Sequence, residues 1–415
     1  MSGTYQARGH GPRVGLYPKV HPRQAQSRVT EERAQTHHHE AASAQTGLQR
    51  DNSLLGRWWW SVDRWTLGAI FILIGFGYIM MLAASPAVAE RIGTSRDLFI
   101  FKQVFFLAIA AGVVFGVSLL SPRDIRRLAI IGCLIALALT AATMFIGIEI
   151  KGARRWISLP GMSVQPSEFL KPCFAVVAAW LLAEGKRSPR FPGMILACAV
   201  FTVILLLLKS QPDIGMLAVV TVVFLTQLYV AGLPIVLVGI AVGMLGAGSF
   251  AAYAIFPHVR SRVTRFWDGT GDNYQVTTAL EAFGNGGLLG RGPGEGRVKD
   301  ILPDAHADFV FAVAGEEFGM ILCVVIIAIF GFIVLRGLLR LLKEHDPFIV
   351  LSCTGLVTGF GLQAFVNMAS TLKLIPTKGM TLPFISYGGS SVVAVALGMG
   401  MLLALTRKRG RDERP

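Results

Sequence analysis

The chain has 415 residues, 53% of them hydrophobic and 15% charged, where a soluble domain carries roughly 25% charged residues. Lys and Arg (39) outnumber Asp and Glu (25), for a net charge of +14, and the five cysteines form no CxxC pair. These figures argue against a soluble enzyme, a disulfide scaffold, a zinc module and a disordered chain, and leave a basic integral membrane protein.

Residues 1–53 are rich in Gln, Arg, His, Ser and Gly without apolar periodicity, and read as a disordered cytoplasmic tail that ends near residue 60. No apolar h-region follows its early Arg residues, so a cleaved signal peptide is not expected. His37, His38 and His39 read as part of a solvated low-complexity tract. Ten apolar runs follow, at roughly 65–84, 98–120, 128–146, 168–184, 193–208, 214–231, 233–256, 312–335, 347–369 and 387–405. The expected fold is therefore an all-α integral membrane protein of about ten transmembrane helices. Its polytopic domain covers residues 61–406, with a large loop at 257–308 between helices 7 and 8 and a basic tail at 407–415. An even number of spans puts both termini on one side. The loops on that side hold 17 basic residues, against eight in the opposite loops when 257–308 is left out. This bias predicts cytoplasmic termini and an outward-facing 257–308 loop.

Polar residues at span ends stand out, because an ionisable group inside a bilayer is costly and marks a functional candidate. The first cluster holds Lys151, Arg154, Arg155 and Trp156, then Gln165, Pro166, Ser167, Glu168, Lys171 and Pro172. Pro166 and Ser167 suit a helix start, and Glu168 and Lys171 share one helical face. Their pair reads equally as a structural closure or as support for a site. Arg154 and Arg155 suit either phosphate oxygens or an interfacial anchor beside Trp156.

The 257–308 loop opens with Arg260, Arg262 and Arg265 and continues through a glycine-rich stretch, 284–296. That stretch lacks the Gly-Lys-Ser/Thr and the preceding strand of a phosphate loop, so tight turns against a ligand or another segment are expected instead. Nothing here points to nucleic acid. The loop ends in Asp304, His306 and Asp308, with Glu316 and Glu317 about two turns further on. Asp304 and Asp308 share a face in a helix and in a strand; His306 joins them only if the segment is extended. The acidic cluster reads as catalytic, or as structural pairing to Arg or Lys. The third cluster runs from Leu374 to Ser391 and includes Pro376, Lys378, Pro383, Ser386, Gly388 and Gly389. Its small residues permit close helix packing, which leaves Lys378 unexplained.

Four segments carry a resemblance: GARRWISLPGMSVQPSEFLK, KSQPDIG, GGLLGRGPGEGRVKDILPDAHADFVFAVAGEEFG and PTKGMTLPFISYGGSS. In this order they resemble the SEDS family of bacterial cell-wall proteins (shape, elongation, division and sporulation; FtsW/RodA/SpoVE type), over about residues 60–405. The run from Lys378 to Pro383 resembles the division branch more than the elongation branch. The resemblance implies a peptidoglycan glycosyltransferase of the bacterial cytoplasmic membrane that polymerises lipid II on the outer face during septal wall synthesis. A lipid II flippase, an elongation-type polymerase and a non-catalytic division scaffold are the alternatives. The implied partners are lipid II, the growing glycan chain, a class B penicillin-binding protein, other division proteins and membrane lipids.

By the same resemblance the catalytic Asp of the family falls on Asp308, its motif Glu on Asp304 and its His on His306. Ala307 stands where the family usually has Thr. Arg155, Glu168, Lys171, Lys378 and Ser386 match further family positions. The implied reaction joins the GlcNAc 4-hydroxyl of lipid II to MurNAc C1 of a chain carried on undecaprenyl pyrophosphate. Asp308 would take the hydroxyl proton, and Arg155, Lys171, Lys378, Arg260, Arg262 and Arg265 would balance the pyrophosphate charge. No cofactor is established by these residues; a divalent cation, Mg or Mn, is the one metal the chemistry suggests.

Overall fold

The structure is a computed structural model and describes residues 54–92, 96–150, 153–159, 162–255, 260, 264, 274–376 and 379–408. Chain contacts divide it after Trp60. The described part of the first unit lies in a short helix, α1 (Leu54–Ser61). The second unit holds the rest.

Its elements follow the apolar runs. They are α2 (Arg64–Ile92), α3 (Arg96–Ser118), α4 (Pro122–Ile146), α5 (Pro166–Arg187), α6 (Gly193–Ser210), α7 (Ile214–Val230) and α8 (Ile235–Ile255). After the large loop come α11 (Val310–Leu341), α12 (Pro347–Thr371) and α13 (Gly389–Leu405). Among the described residues eight of these are long and apolar enough to cross a membrane. The count of ten is not confirmed: the other two, α7 and α13, are apolar but have 17 residues each, at the lower limit for spanning. The chain is a multi-pass, all-α membrane architecture.

Two features were not expected. Three strands pair as an antiparallel sheet in the order β1 (Ile148–Ile150), β2 (Ala153–Leu159) and β3 (Met162–Val164). Glu149 pairs with Arg154 and Ser158 with Ser163 in its register. The large loop is also structured in part, with α9 (Tyr274–Gly286) and the single turn α10 (Val298–Ile301).

The least apolar of the eight long helices, α5, is the most buried, at 83%. It packs against α4, α6, α7, α12 and α13, so it needs little lipid-facing surface. Ala175, Ala178, Ala179 and Ala183 on α5 let neighbouring backbones come close. By contrast, none of the spanning window of α8 is buried.

One end of the bundle is locked by charge. Asp63, 1% exposed, receives a two-pronged grip from Arg336 (Nε and Nη2, both 2.7 Å) and a further contact from Arg340 at 3.0 Å. Burial alone would raise the carboxyl, but hydrogen bonds from Arg336 and Thr66 and the charges of Arg340 and Arg336 hold it below the usual carboxylate range. Arg407 donates to Ser61 and to the Ser118 and Leu119 carbonyls, and Arg340 donates to the Thr406 carbonyl, so Ser61 and the ends of α3, α11 and α13 are tied together. The candidate site lies at the opposite end of these helices.

Candidate functional site

Four segments build the site: β2 to the start of α5, the Gln211–Asp213 turn, the Pro303–Phe309 turn, and a strap from Gly379 to Tyr387 that leads into α13. Each carries backbone polar groups that the helices cannot satisfy, and side chains from the helix ends complete them.

The start of α5 anchors a closed ring. Lys171 Nζ donates to Glu168 Oε2 at 2.8 Å and to Gln363 Oε1 at 2.5 Å. Gln363 donates to the Thr381 carbonyl at 3.0 Å, Thr381 and Ser391 hydroxyls bond at 2.7 Å, and Ser391 returns to Glu168 Oε2 at 3.0 Å. The ring ties α5, α12, α13 and the strap. Beneath it an apolar cavity opens between α5, α7, α12 and α13, lined by Phe174, Val223, Leu356 and Phe360. The expected Glu168–Lys171 pair therefore forms and does structural service in a larger circuit.

Arg155 projects from β2 onto the 211–213 turn. It donates to the Gln211 carbonyl (3.0 Å) and the Pro212 carbonyl (2.6 Å) and lies 3.5 Å from Asp213 Oδ2. Asp213 in turn caps α7 through the Met216 N–H and receives Gln165 Nε2 at 3.4 Å. Much of the guanidinium expected to meet phosphate is thus engaged in fixing this turn.

The segment around Asp308 is coiled rather than extended. Asp304, at φ +54°, presents a carbonyl that accepts the N–H groups of Ala307 and Asp308, each at 3.0 Å. Asp and Asn tolerate this left-handed conformation better than most side chains. The extended geometry that would line His306 up with both acids is absent; His306 faces the Tyr387 ring, centroids 5.2 Å apart. Burial pushes the Tyr387 phenol above its ordinary range.

Three consecutive carbonyls pin this turn. The His306 carbonyl accepts from Tyr387 N (2.9 Å), Ala307 from Ser386 Oγ (2.5 Å) and Asp308 from Asn367 Nδ2 (2.9 Å). Ser386 also accepts from Leu382 N at 2.8 Å, so its role is to knot the turn to the strap. The Asp308 side chain is half-buried and lies over Gly379: an ideal Cβ there would sit 3.1 Å from Asp308 Oδ2. Gly379 is exposed, so the carboxylate stands at the open face of the strap.

Glu316 and Glu317 belong elsewhere. Both are buried inside α11 and hold the glycine-rich loop. Glu316 accepts the N–H groups of Arg297 (3.1 Å) and Val298 (3.0 Å); Glu317 accepts Gly294 N (2.9 Å) and Lys299 Nζ (2.6 Å). The carbonyls of both residues also accept N–H groups of the loop, from Arg291 and Gly292. Gly319 breaks the helix at φ +81°, where a side chain would run into the Leu288 carbonyl. The close approach expected of these glycines is to another segment of the chain. Structural pairing accounts for these two acids, which sequence spacing alone had grouped with Asp308.

Arg260 is exposed, donates to the Ala254 carbonyl at 3.2 Å and covers the Tyr253 ring at the end of α8. Arg262, Arg265 and Lys378 lie outside the described residues. Sequence reasoning missed Gln363 and Asn367, and it singled out the segments that hold Asp213, Thr381 and Ser391 without giving those three a role. The available signal was Gln363 and Asn367 four apart within an apolar run, which places two amides on one face of α12. Among the described residues no three His, Cys, Asp or Glu side chains group as metal ligands.

A family model described as "Cell cycle protein" and named for FtsW, RodA and SpoVE matches residues 64–411. The chain belongs to the FtsW/RodA/SpoVE family. It is 44% identical over 361 residues to the "Probable peptidoglycan glycosyltransferase FtsW" of Caulobacter vibrioides (strain NA1000 / CB15N), covering 86% of this chain and 93% of that one. A protein of the same name from Geobacter sulfurreducens (strain DL-1 / KN400) is 36% identical over 84% of this chain and 97% of its own length. Among solved structures, one described as structural coordination of polymerization and crosslinking by a peptidoglycan synthase complex has TM-score 0.69 at 25% identity, covering 85% of this chain and 98% of that one. The crystal structure of Thermus thermophilus rod shape determining protein RodA has TM-score 0.61 at 26% identity, covering 84% and 97%. The family resemblance read from the four segments therefore holds across the membrane domain.

Proposed function

We propose that this family member is a peptidoglycan glycosyltransferase of the division branch. It polymerises lipid II on the outer face of the cytoplasmic membrane during septal wall synthesis, with both termini in the cytoplasm. The relatives named as FtsW glycosyltransferases, matched over more than four fifths of the chain, support the activity and the branch. The bias of basic residues supports the orientation.

The observation that carries the chemistry is a carboxylate, Asp308, whose backbone is fixed by hydrogen bonds while its side chain stands beside the exposed Gly379. A general base must be held still and must also be reachable by the acceptor hydroxyl. Asp308 removes the proton from the GlcNAc 4-hydroxyl as that oxygen attacks MurNAc C1. The bond from C1 to the pyrophosphate breaks, and undecaprenyl pyrophosphate leaves as an anion that needs no strong acid. Lys378 and the basic loop residues balance that charge, while Lys171 holds the ring at the start of α5 and Arg155 acts chiefly by shaping the 211–213 turn that borders Gln165. A class B penicillin-binding protein cross-links the strands so formed.

Purified Asp308→Asn with its partner is expected to lose about 10²- to 10⁴-fold in lipid II polymerisation while remaining membrane-inserted and partner-bound. Chain formation near the wild-type rate would refute the assignment. Lipid II movement across proteoliposomes without glycan chains would mean that the protein is a flippase.

A further inference from the structure

We infer that Asn367 is the positioning residue of the reaction, joining the turn that carries Asp308 to the strap that carries Gly379. This rests on the assignment of Asp308 as base. Asn367 is fully buried in α12 and donates through one amide nitrogen to two carbonyls, Asp308 O at 2.9 Å and Met380 O at 2.6 Å. Both neighbours can only accept, so the amide orientation is set by chemistry.

The other half of the amide is spent. Asn367 Oδ1 is buried and accepts no hydrogen bond from the described residues. A buried acceptor left this way is a cost, so what justifies an asparagine here is the donor. An aspartate would set a charge against two carbonyls, and an aliphatic residue would leave both without their donor. One turn earlier on the same face, Gln363 donates to the Thr381 carbonyl and orients Lys171. The two amides thus grip adjoining residues of the strap, but Asn367 alone also reaches the catalytic turn.

The consequence is angular. The carbonyls of His306 and Ala307 are held from the strap side, by Tyr387 N and Ser386 Oγ. That of Asp308 is held from α12. Without the third anchor the peptide plane after Asp308 loses its hold from α12, which leaves the long Phe309 N–H bond to the Asp304 carbonyl (3.4 Å) to resist its rotation, and the carboxylate is held less firmly over Gly379. Displacement of a reacting group by about 1 Å costs on the order of 10²-fold in rate.

The test uses the purified full chain with its penicillin-binding partner and lipid II as the probe. Asn367→Leu, of similar size and without a donor, is expected to lower kcat about 10²-fold while KM for lipid II stays within about threefold. Added to Asp308→Asn, the same substitution is expected to change the residual rate by less than threefold, because the residue acts through Asp308. A single mutant within threefold of wild type would overturn the inference. So would an equal fall in both backgrounds, since that is the mark of a general structural role. An Asp308→Asn protein with a near-wild-type rate would refute the base assignment itself. If the leucine variant fails to insert, Asn367→Thr, smaller and too short to span both carbonyls, carries the same expectations.

Discussion

Lys299→Met offers a direct test of how the glycine-rich loop is held. Lys299 Nζ lies 2.6 Å from Glu317 Oε1, with side-chain exposures of 7% and 0%. Removing the lysine leaves the buried Glu317 carboxylate with one strong donor among the described residues, the Gly294 N–H at 2.9 Å. Breaking a buried ion pair from one side costs about 3–5 kcal/mol, since the remaining charge has lost its compensation. If that energy is expressed as local opening of the loop, the open population rises by about 10²- to 10⁴-fold. Trypsin reports it at the Arg297–Val298 bond, whose N–H is held by Glu316 at 3.0 Å, because cleavage follows the open population when reclosing is fast. Adding Glu317→Gln removes the stranded charge yet keeps an acceptor for Gly294, so the double mutant is expected to recover most of the loss, to within about 1–2 kcal/mol of wild type. A single mutant cleaved within threefold of the wild-type rate would refute the reasoning, as would a double mutant that opens more readily than the single.

Two further predictions concern the two ends of the bundle. Gly379→Ala puts a methyl 3.1 Å from Asp308 Oδ2, so it is expected to displace the carboxylate and slow polymerisation by roughly 10-fold or more, with thermal stability little changed; an unaltered kcat would contradict the placement of Asp308. Asp63 has a depressed pKa in the folded protein, so its clamp contributes stability that is fully present above the unfolded value of about 3.9 and is lost as pH falls through the folded one. Melting temperature against pH should therefore fall below about pH 4, and Asp63→Asn should be less stable at neutral pH with a flatter acid limb. Equal acid sensitivity in the two proteins would rule this out.

The division of labour between sequence and tertiary structure follows the range of each signal. Apolar runs are local, and they find α2 to α8 and α11 to α13, with ends that differ from the helices by up to about eight residues, as at α2, because a bilayer demands continuous apolar length and the polar helix ends carry no such signal. The sheet of β1, β2 and β3 escaped that reading, since three short strands carry little hydrophobic signal beside spans of twenty residues. Long motifs around Lys171, Asp308 and Ser386 were enough to place the chain in its family. Spacing also grouped Glu316 and Glu317 with Asp308, yet the kink at Gly319 and the glycine turns send those two acids to the loop.

Composition and pattern thus determined that this is a multi-pass membrane protein with its polar chemistry gathered at one end. Which polar groups act and which only hold the frame was decided by contacts between residues far apart in the chain. Arg155 meets Gln211, Gln363 meets Lys171, and Asn367 meets Asp308 across 59 positions. A buried hydrogen-bonding group must find a partner wherever the fold supplies one, and that supply is visible only when the helices are packed.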